Sequence, residues 1–339
     1  MDPVAALEEI AFLLERDRAS AYKSKAFRKA ADAIREFTPD GLAVRAADGR
    51  LRRTAGVGDS TFAVIEQALA GGVPERLAGL RAEAGLSAEG AVAGLRAELR
   101  GDLHSHTEWS DGTTSLAVMA KAAEAQGLEY LAITDHSPSL RVANGLSAER
   151  LAEQQELIEV VQAGLPKLRL LAGIEVDILL DGALDQTPEM LGRLDVVVGS
   201  VHSKLRMERA EMTGRMLRAI ADPRLNVLGH CTGRLVEGAR GTRPQSEFDA
   251  EAVFAACAEH DVAVEINSRP ERQDPPDELI AVALDAGCLF SIDSDAHAPG
   301  HLSFLELGAA RAEANGVPAD RIITTWPVER LLEWASGRA

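Results

Sequence analysis

Six of the eight histidines in this 339-residue sequence fall at the ends of runs with the composition of β-strands. Three carboxylates occupy similar positions, and the nine candidate metal ligands are His104, His106, Asp111, His136, Glu175, His202, His230, Asp295 and His297. Imidazole nitrogen and carboxylate oxygen suit Mn²⁺, Zn²⁺ or Fe²⁺, and a set without cysteine argues against structural zinc. Nine donors exceed what one tetrahedral ion uses, so we predict two or three divalent ions.

A cluster of divalent ions suits one kind of reaction. Grouped cations lower the pKa of a shared water and neutralise the charge that develops on a phosphoryl oxygen. Because no protein nucleophile is then needed, we predict hydrolysis of a phosphate ester by a metal-activated water. The spacing of His104 and His106 supports a shared ion, since alternate residues of a strand face the same side.

Ligands that are so far apart in sequence can share ions only in a fold whose strand ends lie close together. From about residue 99 onward, strand-like runs alternate with helical patterns, and the seven runs are GDLHSH, YLAITDH, LRLLAGIEV, LDVVVGSVH, LNVLGH, VAVEINS and LFSIDSDAH. Strands separated by helices form parallel units, and seven of them predict closure into an α/β barrel. The loops after the strands of such a barrel converge on one face.

The N-terminal part of the chain has a different pattern. Residues 4 to 16 and 20 to 36 have apolar positions at helical spacing, and helices continue past the GVG at 56 to 58. A stretch rich in alanine, glycine and glutamate follows and has the composition of a helical connector. We therefore predict a helical domain at 1–85, a connector at 86–98 and the α/β domain at 99–339.

Charge and composition limit the possible binding partners and the expected cellular compartment. The formal net charge is −17, yet residues 1 to 95 carry 13 basic and 14 acidic side chains, a net of −1, so any broad polyanion-binding surface is expected on this part. The start MDPVAALEEI has no features of a secretory signal, and no apolar run approaches the roughly 20 residues of a membrane helix. Three widely spaced cysteines fit a reducing compartment. We expect a cytoplasmic protein without membrane association, and the oligomeric state stays open.

The ligand-bearing segments also resemble a known family. GDLHSHTEWSDG, AITDHS, GIEVDIL, GSVHSK, GHCTGRL, EINSRPERQD and SIDSDAH are similar, in order and spacing, to the motifs of the PHP (polymerase and histidinol phosphatase) superfamily, and in particular to the PHP domain of bacterial family X DNA polymerases. This resemblance implies a distorted seven-stranded, TIM-like β/α barrel with a trinuclear centre. It implies one ion on His104, His106, Glu175 and Asp295, a second on Asp111, His136 and His297, and a third on Glu175, His202 and His230.

Other polar residues surround the implied centre. Glu175 and Asp295 are also counted as catalytic, and the cations expected to bind phosphate are Lys204, Arg234 and Arg272. Solvated or salt-bridged surface cations are the alternative for these three. Asn267 resembles a residue that orients substrate or supports a ligand, and Asp135 and Asp293 are expected to steady ligands from behind.

The first 85 residues resemble the helical N-terminal domain of family X polymerases through AYKSKAFRKAADAI and TAGVGDSTFAVIEQAL. The GVG turn is a helix-hairpin-helix signature, which can present backbone N–H groups to a DNA phosphate. The predicted DNA contacts are Lys23, Lys25, Arg28, Lys29, Gly56 and Gly58, and a solvated basic face is the alternative. Ser60 and Val64 stand where relatives with lyase activity have lysines, and no palm separates this domain from the barrel. Lyase and polymerase activities are therefore not expected.

Three functions remain open from the sequence. The first is hydrolysis of phosphodiesters at DNA ends, in the manner of a 3′-5′ exonuclease, with Mn²⁺ as the favoured ion. The second is a small-molecule phosphomonoesterase, such as a histidinol phosphatase, because the same centre serves both substrate classes. The third is a non-catalytic DNA-binding scaffold with structural metals.

Overall fold

The computed structural model describes residues 1–84, 94–238 and 241–337 and contains two compact units, Met1–Ala91 and Val92–Ala339. The predicted connector at 86–98 lies mostly outside the described residues. Its last part, Leu95–Glu98, forms a short helix of the second unit.

The first unit is all-helical. Its helices are α1 (Pro3–Arg16), α2 (Ala21–Ile34), α3 (Pro39–Ala47), α4 (Asp59–Leu69) and α5 (Glu75–Glu83), with a 3-10 turn at Leu51–Arg53. Asp2 begins α1 by accepting a hydrogen bond from Ala5 N at 2.7 Å. Apolar side chains of α1, α2 and α4, among them Ile10, Phe27 and Ile65, are buried in one core, so this unit has its own hydrophobic cluster.

The second unit is a nearly closed barrel of seven parallel strands. The strands are β1 (Gly101–Asp102), β2 (Tyr130–Ile133), β3 (Arg169–Asp177), β4 (Val196–Ser200), β5 (Val227–Leu228), β6 (Ala263–Asn267) and β7 (Phe290–Asp293). Each strand pairs in parallel with the next along the chain, in the order β1 to β7. A bridge between Ser105 and Ala296 links the two edges. The predicted seven-stranded barrel is confirmed.

Helices flank the strands along the whole barrel. They are α6 (Leu95–Glu98), α7 (Leu116–Ala125), α8 (Ala148–Gln162), α9 (Pro188–Leu191), α10 (Arg209–Ile220), α11 (Ala250–Glu259), α12 (Asp277–Asp285), α13 (Leu305–Ala314) and α14 (Val328–Ser336). Further 3-10 turns are Arg141–Ala143, Pro299–Phe304, Ala319–Arg321 and Ile323–Thr325. Among the described residues, no helix combines the length and apolar character that crossing a membrane requires.

The strands have two faces that pack differently. Tyr130 and Ala132 belong to a small apolar cluster with residues from other strands, whereas Leu131 and Ile133 belong to the larger cluster that includes helical residues. The small cluster is therefore the barrel interior, and Trp326 joins it from the chain after α13. The hydroxyl of Tyr130 donates to Trp326 O at 3.1 Å. Inward positions turn polar toward the strand ends, where Glu175 of β3 and Asn267 of β6 are buried.

Candidate metal centre

The carboxylate of Glu175 lies at the centre of the histidine cluster. It is 1% exposed, and its backbone forms a bridge to His136 after β2. Five imidazole nitrogens lie within 3.6 Å of its two oxygens: His136 Nδ1 at 2.8 Å, His230 Nε2 at 2.9 Å, His104 Nε2 and His202 Nε2 at 3.3 Å each, and His106 Nε2 at 3.6 Å. Four separate strand ends thus direct their histidines at one side chain of β3.

Asp111 occupies the open edge of the same cluster. Its Oδ1 lies 3.3 Å from His297 Nε2, 3.5 Å from His136 Nε2 and 4.0 Å from His106 Nδ1. The Asp111 side chain is 37% exposed, whereas that of Glu175 is 1% exposed. The cluster therefore extends from a buried carboxylate outward to a solvent-accessible one.

All nine predicted ligands lie in this one region. Asp295 Oδ1 is 3.5 Å from His106 Nε2, and the backbone of Asp295 has a left-handed φ of 50°, which is uncommon for a residue with a side chain. Three groups each offer ligand atoms that lie within 4.8 Å of one another: His106, Asp111, His136 and His297; His104, His106 and Glu175; and His136, Glu175 and His202. Their role as ligands stays a prediction.

Several buried polar atoms of the cluster support that role. Within the described parts of the chain, these atoms make no hydrogen bond: His104 Nε2, both ring nitrogens of His106, His136 Nδ1, Glu175 Oε2 and His230 Nδ1. A buried polar atom without a partner is costly and rare in folded proteins. The donor set is imidazole and carboxylate, which fits divalent transition-metal ions. The residues present therefore fit the metals that the sequence predicts.

Electrostatics within the cluster favour ionised carboxylates. Burial alone would raise the pKa of Glu175, but the imidazoles of His104 and His136 outweigh it and hold this pKa well below its usual value. Burial opposes protonation of His104, but the carboxylates of Glu175 and Glu265 raise its pKa well above the usual range. Burial, together with neighbouring imidazoles, lowers the pKa of His106 to about 3. A cation bound here would replace protons that the carboxylates otherwise hold on the imidazoles.

Two carboxylates that the sequence analysis missed form hydrogen bonds to histidines of the cluster. Glu265 Oε1 lies 2.6 Å from His104 Nδ1, and its Oε2 accepts a hydrogen bond from His230 N at 2.5 Å. Asp177 is hydrogen-bonded to His202 Nδ1. Such contacts fix the orientation of an imidazole and leave its other nitrogen for an ion. The signal was present in the sequence, since Asp177 lies two residues after Glu175 on the same face of β3.

Replacing Glu265 with glutamine tests this support. Glutamine keeps the size of the side chain but removes the charge that orients His104, and the expected loss of Mn²⁺ affinity is about 10- to 100-fold. Titration of the metal-free protein with Mn²⁺ measures this loss. Glu259→Gln is the matched control because Glu259 is exposed at the end of α11, and it should bind Mn²⁺ as the wild type does. Equal affinity in the Glu265 variant would contradict a supporting role.

The three residues that the sequence placed around the ligands act in two ways. Asn267 Nδ2 donates to Asp295 Oδ2 at 3.1 Å, which is a direct contact with a predicted ligand. Asp135 instead accepts hydrogen bonds from the backbone and side chain of Thr107 at 2.8 and 2.7 Å, and so it braces the loop before Asp111. Asp293 accepts from a backbone amide, Leu103 N, at 2.8 Å. Asp135 and Asp293 therefore hold the backbone that carries ligands, and within the described ranges none of their hydrogen bonds goes to an imidazole.

The three predicted phosphate-binding cations differ in their availability. Lys204 is exposed and has a left-handed φ of 54°. Arg272 Nε donates to Asp295 Oδ2 at 2.9 Å, so it contacts the centre directly. Arg234 is engaged by the backbone, because its Nε and Nη2 donate to the carbonyls of Arg272 and Gln273. Arg234 therefore stabilises the loop after β6. The sequence predicted instead that it would bind phosphate.

The basic side chains predicted to contact DNA differ in their exposure to solvent. Lys23, Lys25 and Lys29 are exposed on α2. Arg28 instead forms a two-point ion pair with Glu15, at 2.8 and 2.5 Å, and its side chain is only 14% exposed. This pairing removes Arg28 from the accessible basic face.

The glycines of the predicted hairpin have separate roles. Gly56 has a φ of +97°, and a side chain there would meet Lys29 O at 3.1 Å, so both conformation and space favour glycine. Gly58 N donates to Thr61 Oγ1 at 2.9 Å, and Thr61 Oγ1 donates back to Gly58 O. These two bonds cap the start of α4. The amide of Gly58 therefore donates to Thr61, whereas the sequence predicted that it would donate to a DNA phosphate.

Comparison with protein families matches both units. A PHP domain matches residues 102–269, and a helix-hairpin-helix domain matches residues 1–74. A protein of Aliivibrio fischeri (strain ATCC 700601 / ES114), named "Probable phosphatase VF_A0065", is 30% identical over 235 residues, which cover 66% of this chain and 88% of that protein. The chain belongs to the PHP family. It is thus a metal-dependent phosphoesterase by family, preceded by a helix-hairpin-helix domain.

Two further proteins are similar to parts of this PHP protein. "DNA polymerase/3'-5' exonuclease PolX" of Bacillus subtilis (strain 168) is 36% identical over 215 residues, which cover 63% of this chain but only 37% of that protein. The structure of histidinol phosphate phosphatase from Lactococcus lactis subsp. lactis Il1403, in complex with zinc, L-histidinol and phosphate, matches with a TM-score of 0.46 and 16% identity. That match covers 64% of this chain and 92% of the Lactococcus chain.

Proposed function

We propose that this PHP protein hydrolyses phosphodiesters at DNA ends, releasing nucleotides in the 3′-5′ direction. The observation that carries the proposal is the convergence of five imidazoles on Glu175 in a chain whose first 74 residues match a helix-hairpin-helix domain. The similarity to the Bacillus protein named as a polymerase and 3′-5′ exonuclease supports the same substrate class.

The chain's own residues suggest how the ions would be held. We assign the buried ions to the groups around Glu175, and the outer ion to Asp111, His136 and His297. Divalent ions at these positions would supply Lewis acidity toward a phosphoryl oxygen and a water of lowered pKa. Mn²⁺ is our preferred ion, and Zn²⁺ and Fe²⁺ suit the same donors.

The remaining residues would orient the ligands and the substrate. Glu265 and Asp177 hold the imidazoles of His104 and His202 by their Nδ1 atoms. Asp295 is held by Arg272 and Asn267 through its Oδ2. Because Asp111 is the most exposed carboxylate of the cluster, substrate would enter at the edge formed by Asp111 and His297.

A phosphomonoester is the second candidate substrate. The relative from Aliivibrio fischeri is named a phosphatase, and the match covers 88% of its length and 66% of this chain. A small phosphate ester, such as histidinol phosphate, would need only the barrel. The helical unit is the feature that favours DNA.

A substrate comparison separates the two candidates. The purified protein with Mn²⁺ is incubated with single-stranded DNA labelled at its 5′ end and, in parallel, with histidinol phosphate. We expect a ladder of labelled products shortened from the 3′ end, and DNA with phosphorothioate linkages at its 3′ end should resist cleavage. The Glu175→Gln variant, purified in the same way, excludes a contaminating nuclease. Turnover of histidinol phosphate with intact DNA would contradict the proposal.

DNA binding by the helical unit gives a separate prediction. Combined replacement of Lys23, Lys25 and Lys29 with glutamine should weaken binding and reduce the slope of log affinity against log salt by about 2, at roughly 0.7 per lost phosphate contact on single strands. Fluorescence anisotropy of the full chain at several salt concentrations measures the slope. A control variant with the same loss of charge replaces the exposed Lys121, Arg141 and Lys167 of the barrel unit. An unchanged slope in the α2 variant would exclude this surface.

A further inference from the structure

We infer that Arg269, a residue that the sequence analysis did not select, binds the phosphate of the substrate; this inference rests on the proposed function. Arg269 follows β6, and its backbone N donates to Asn267 Oδ1 at 3.1 Å. Asn267 in turn donates to Asp295, so the backbone of Arg269 is fixed relative to a predicted ligand. Its side chain therefore starts from a rigid position at the edge of the centre.

The guanidinium of Arg269 lies beside the exposed part of the cluster. Its Nη1 is 3.1 Å from His297 Nδ1, 3.5 Å from Asp295 O and 3.6 Å from Asp295 Oδ1. The side chain is 20% exposed, so it is mostly buried but reaches solvent. His297 also contacts Asp111, the most exposed carboxylate of the cluster, which places Arg269 at the entrance proposed for the substrate.

The contacts of Arg269 leave two of its donor atoms, Nε and Nη2, available. Nη1 contacts His297 Nδ1 at 3.1 Å and donates to Asp295 O at 3.5 Å, so this donor is already engaged. On the opposite side, Nε is 3.7 Å from Glu271 Oε2, which is an ion-pair distance without a hydrogen bond. Nη2 makes no hydrogen bond to any residue in the described ranges. Nε and Nη2 therefore have no hydrogen-bond partner within the described ranges, and the side chain is 20% exposed.

The other cations near the centre are less suited to this role. Arg272 is held by Asp295 at 2.9 Å, and Arg234 is held by two backbone carbonyls. Lys204 carries a single ammonium on an exposed chain and cannot make a planar two-point contact. Arg269 combines a rigid backbone, partial burial and two donor atoms, Nε and Nη2, without a hydrogen bond in the described ranges, which suits two-point recognition of phosphate oxygens.

Two variants of Arg269 test the inference in the metal-loaded full chain. Arg269→Gln should lower kcat/KM for the best phosphate-ester substrate by about 100-fold, because a charged two-point contact is lost. Arg269→Lys should recover only part of this loss, since lysine restores charge without the planar fork. Manganese content should equal that of the wild type in both variants. Arg209→Gln is the control, because Arg209 is exposed on α10 and pairs only loosely with Asp249 at 3.5 Å.

The affinity for inorganic phosphate provides a second readout, and its measurement does not require turnover. The Kd of inorganic phosphate, measured by calorimetry with Mn²⁺ present, should rise about tenfold or more in Arg269→Gln and stay unchanged in Arg209→Gln. If the wild type hydrolyses no ester, the proposed function fails, and the phosphate titration still decides the role of Arg269. The inference is overturned if phosphate affinity and turnover stay within twofold of the wild type, or if Arg269→Gln loses manganese, which would make Arg269 a support for His297.

Discussion

Replacing Glu175 with glutamine should lower kcat/KM for phosphate-ester hydrolysis by about 1000-fold or more. The carboxylate is buried, and five imidazole nitrogens lie within 3.6 Å of its oxygens. An ion held between Glu175 and these imidazoles would lose an anionic ligand that it shares with its neighbours. We therefore expect the variant to bind at least one fewer Mn²⁺ per chain, measured by elemental analysis after gel filtration.

The Glu175 variant needs a control for folding and for the substitution itself. Far-UV circular dichroism should be unchanged, because glutamine fills the same volume in β3. Glu251→Gln is the matched control, since Glu251 is exposed in the first turn of α11. Wild-type turnover and manganese content in the Glu175 variant would remove this residue from the centre.

Removal of metal from the wild-type protein should abolish hydrolysis and lower the melting temperature of the barrel unit. Each ion present at about 100 times its Kd stabilises the folded state by about 2.7 kcal/mol, and each kcal/mol shifts Tm by roughly 2 to 4 °C in a domain of this size. The expected decrease is therefore roughly 5 °C or more per ion. All three tryptophans, Trp109, Trp326 and Trp334, lie in the barrel unit, so their fluorescence follows its unfolding selectively.

Reconstitution distinguishes metal loss from damage by the chelator. Adding Mn²⁺ in excess of the chelator should restore activity and melting temperature together, whereas Ca²⁺, which prefers a shell of oxygen ligands, should restore them poorly. In the Glu175→Gln protein the stabilisation by Mn²⁺ should be smaller. Full activity after exhaustive chelation would contradict a metal-dependent reaction in this chain.

The barrel was predictable because strand-like runs and helical patterns alternate repeatedly along the sequence. Each of the seven strand-like runs contains an observed strand, and the histidines follow strand ends as expected. The paired segments are shorter than the runs at two places, since β1 and β5 contain only two residues each. The composition of a run marks a strand but does not fix its length, because pairing stops where the chain turns toward the centre to present His104 or His230.

The partners of individual polar side chains were less predictable. Arg28 looked like part of a basic face, yet Glu15 on the neighbouring helix α1 pairs with it. Arg234 follows a ligand-bearing strand, but carbonyls of another loop take up its donors. Both outcomes depend on contacts between separate helices or loops, and helix or strand periodicity does not specify those contacts.

Supporting carboxylates were missed for a different reason. Glu265 and Asp177 occur in strands without any histidine spacing to draw attention to them. Their inward orientation follows from the alternation of strand faces, since Glu265 shares a face with Asn267 and Asp177 shares one with Glu175. Counting inward acidic positions at the ends of β3 and β6 would have identified both. A buried acidic residue near imidazoles then indicates an orienting hydrogen bond.

The most direct test is anomalous scattering from crystals grown with Mn²⁺, recorded on both sides of the manganese absorption edge. We predict two or three manganese peaks among the nine ligand residues, each within about 2.5 Å of an imidazole nitrogen or a carboxylate oxygen. One peak should lie against Glu175 and another between Asp111 and His297. Crystals without any manganese peak in this cluster, although Mn²⁺ is present in excess, would contradict the metal centre on which the proposed hydrolysis depends.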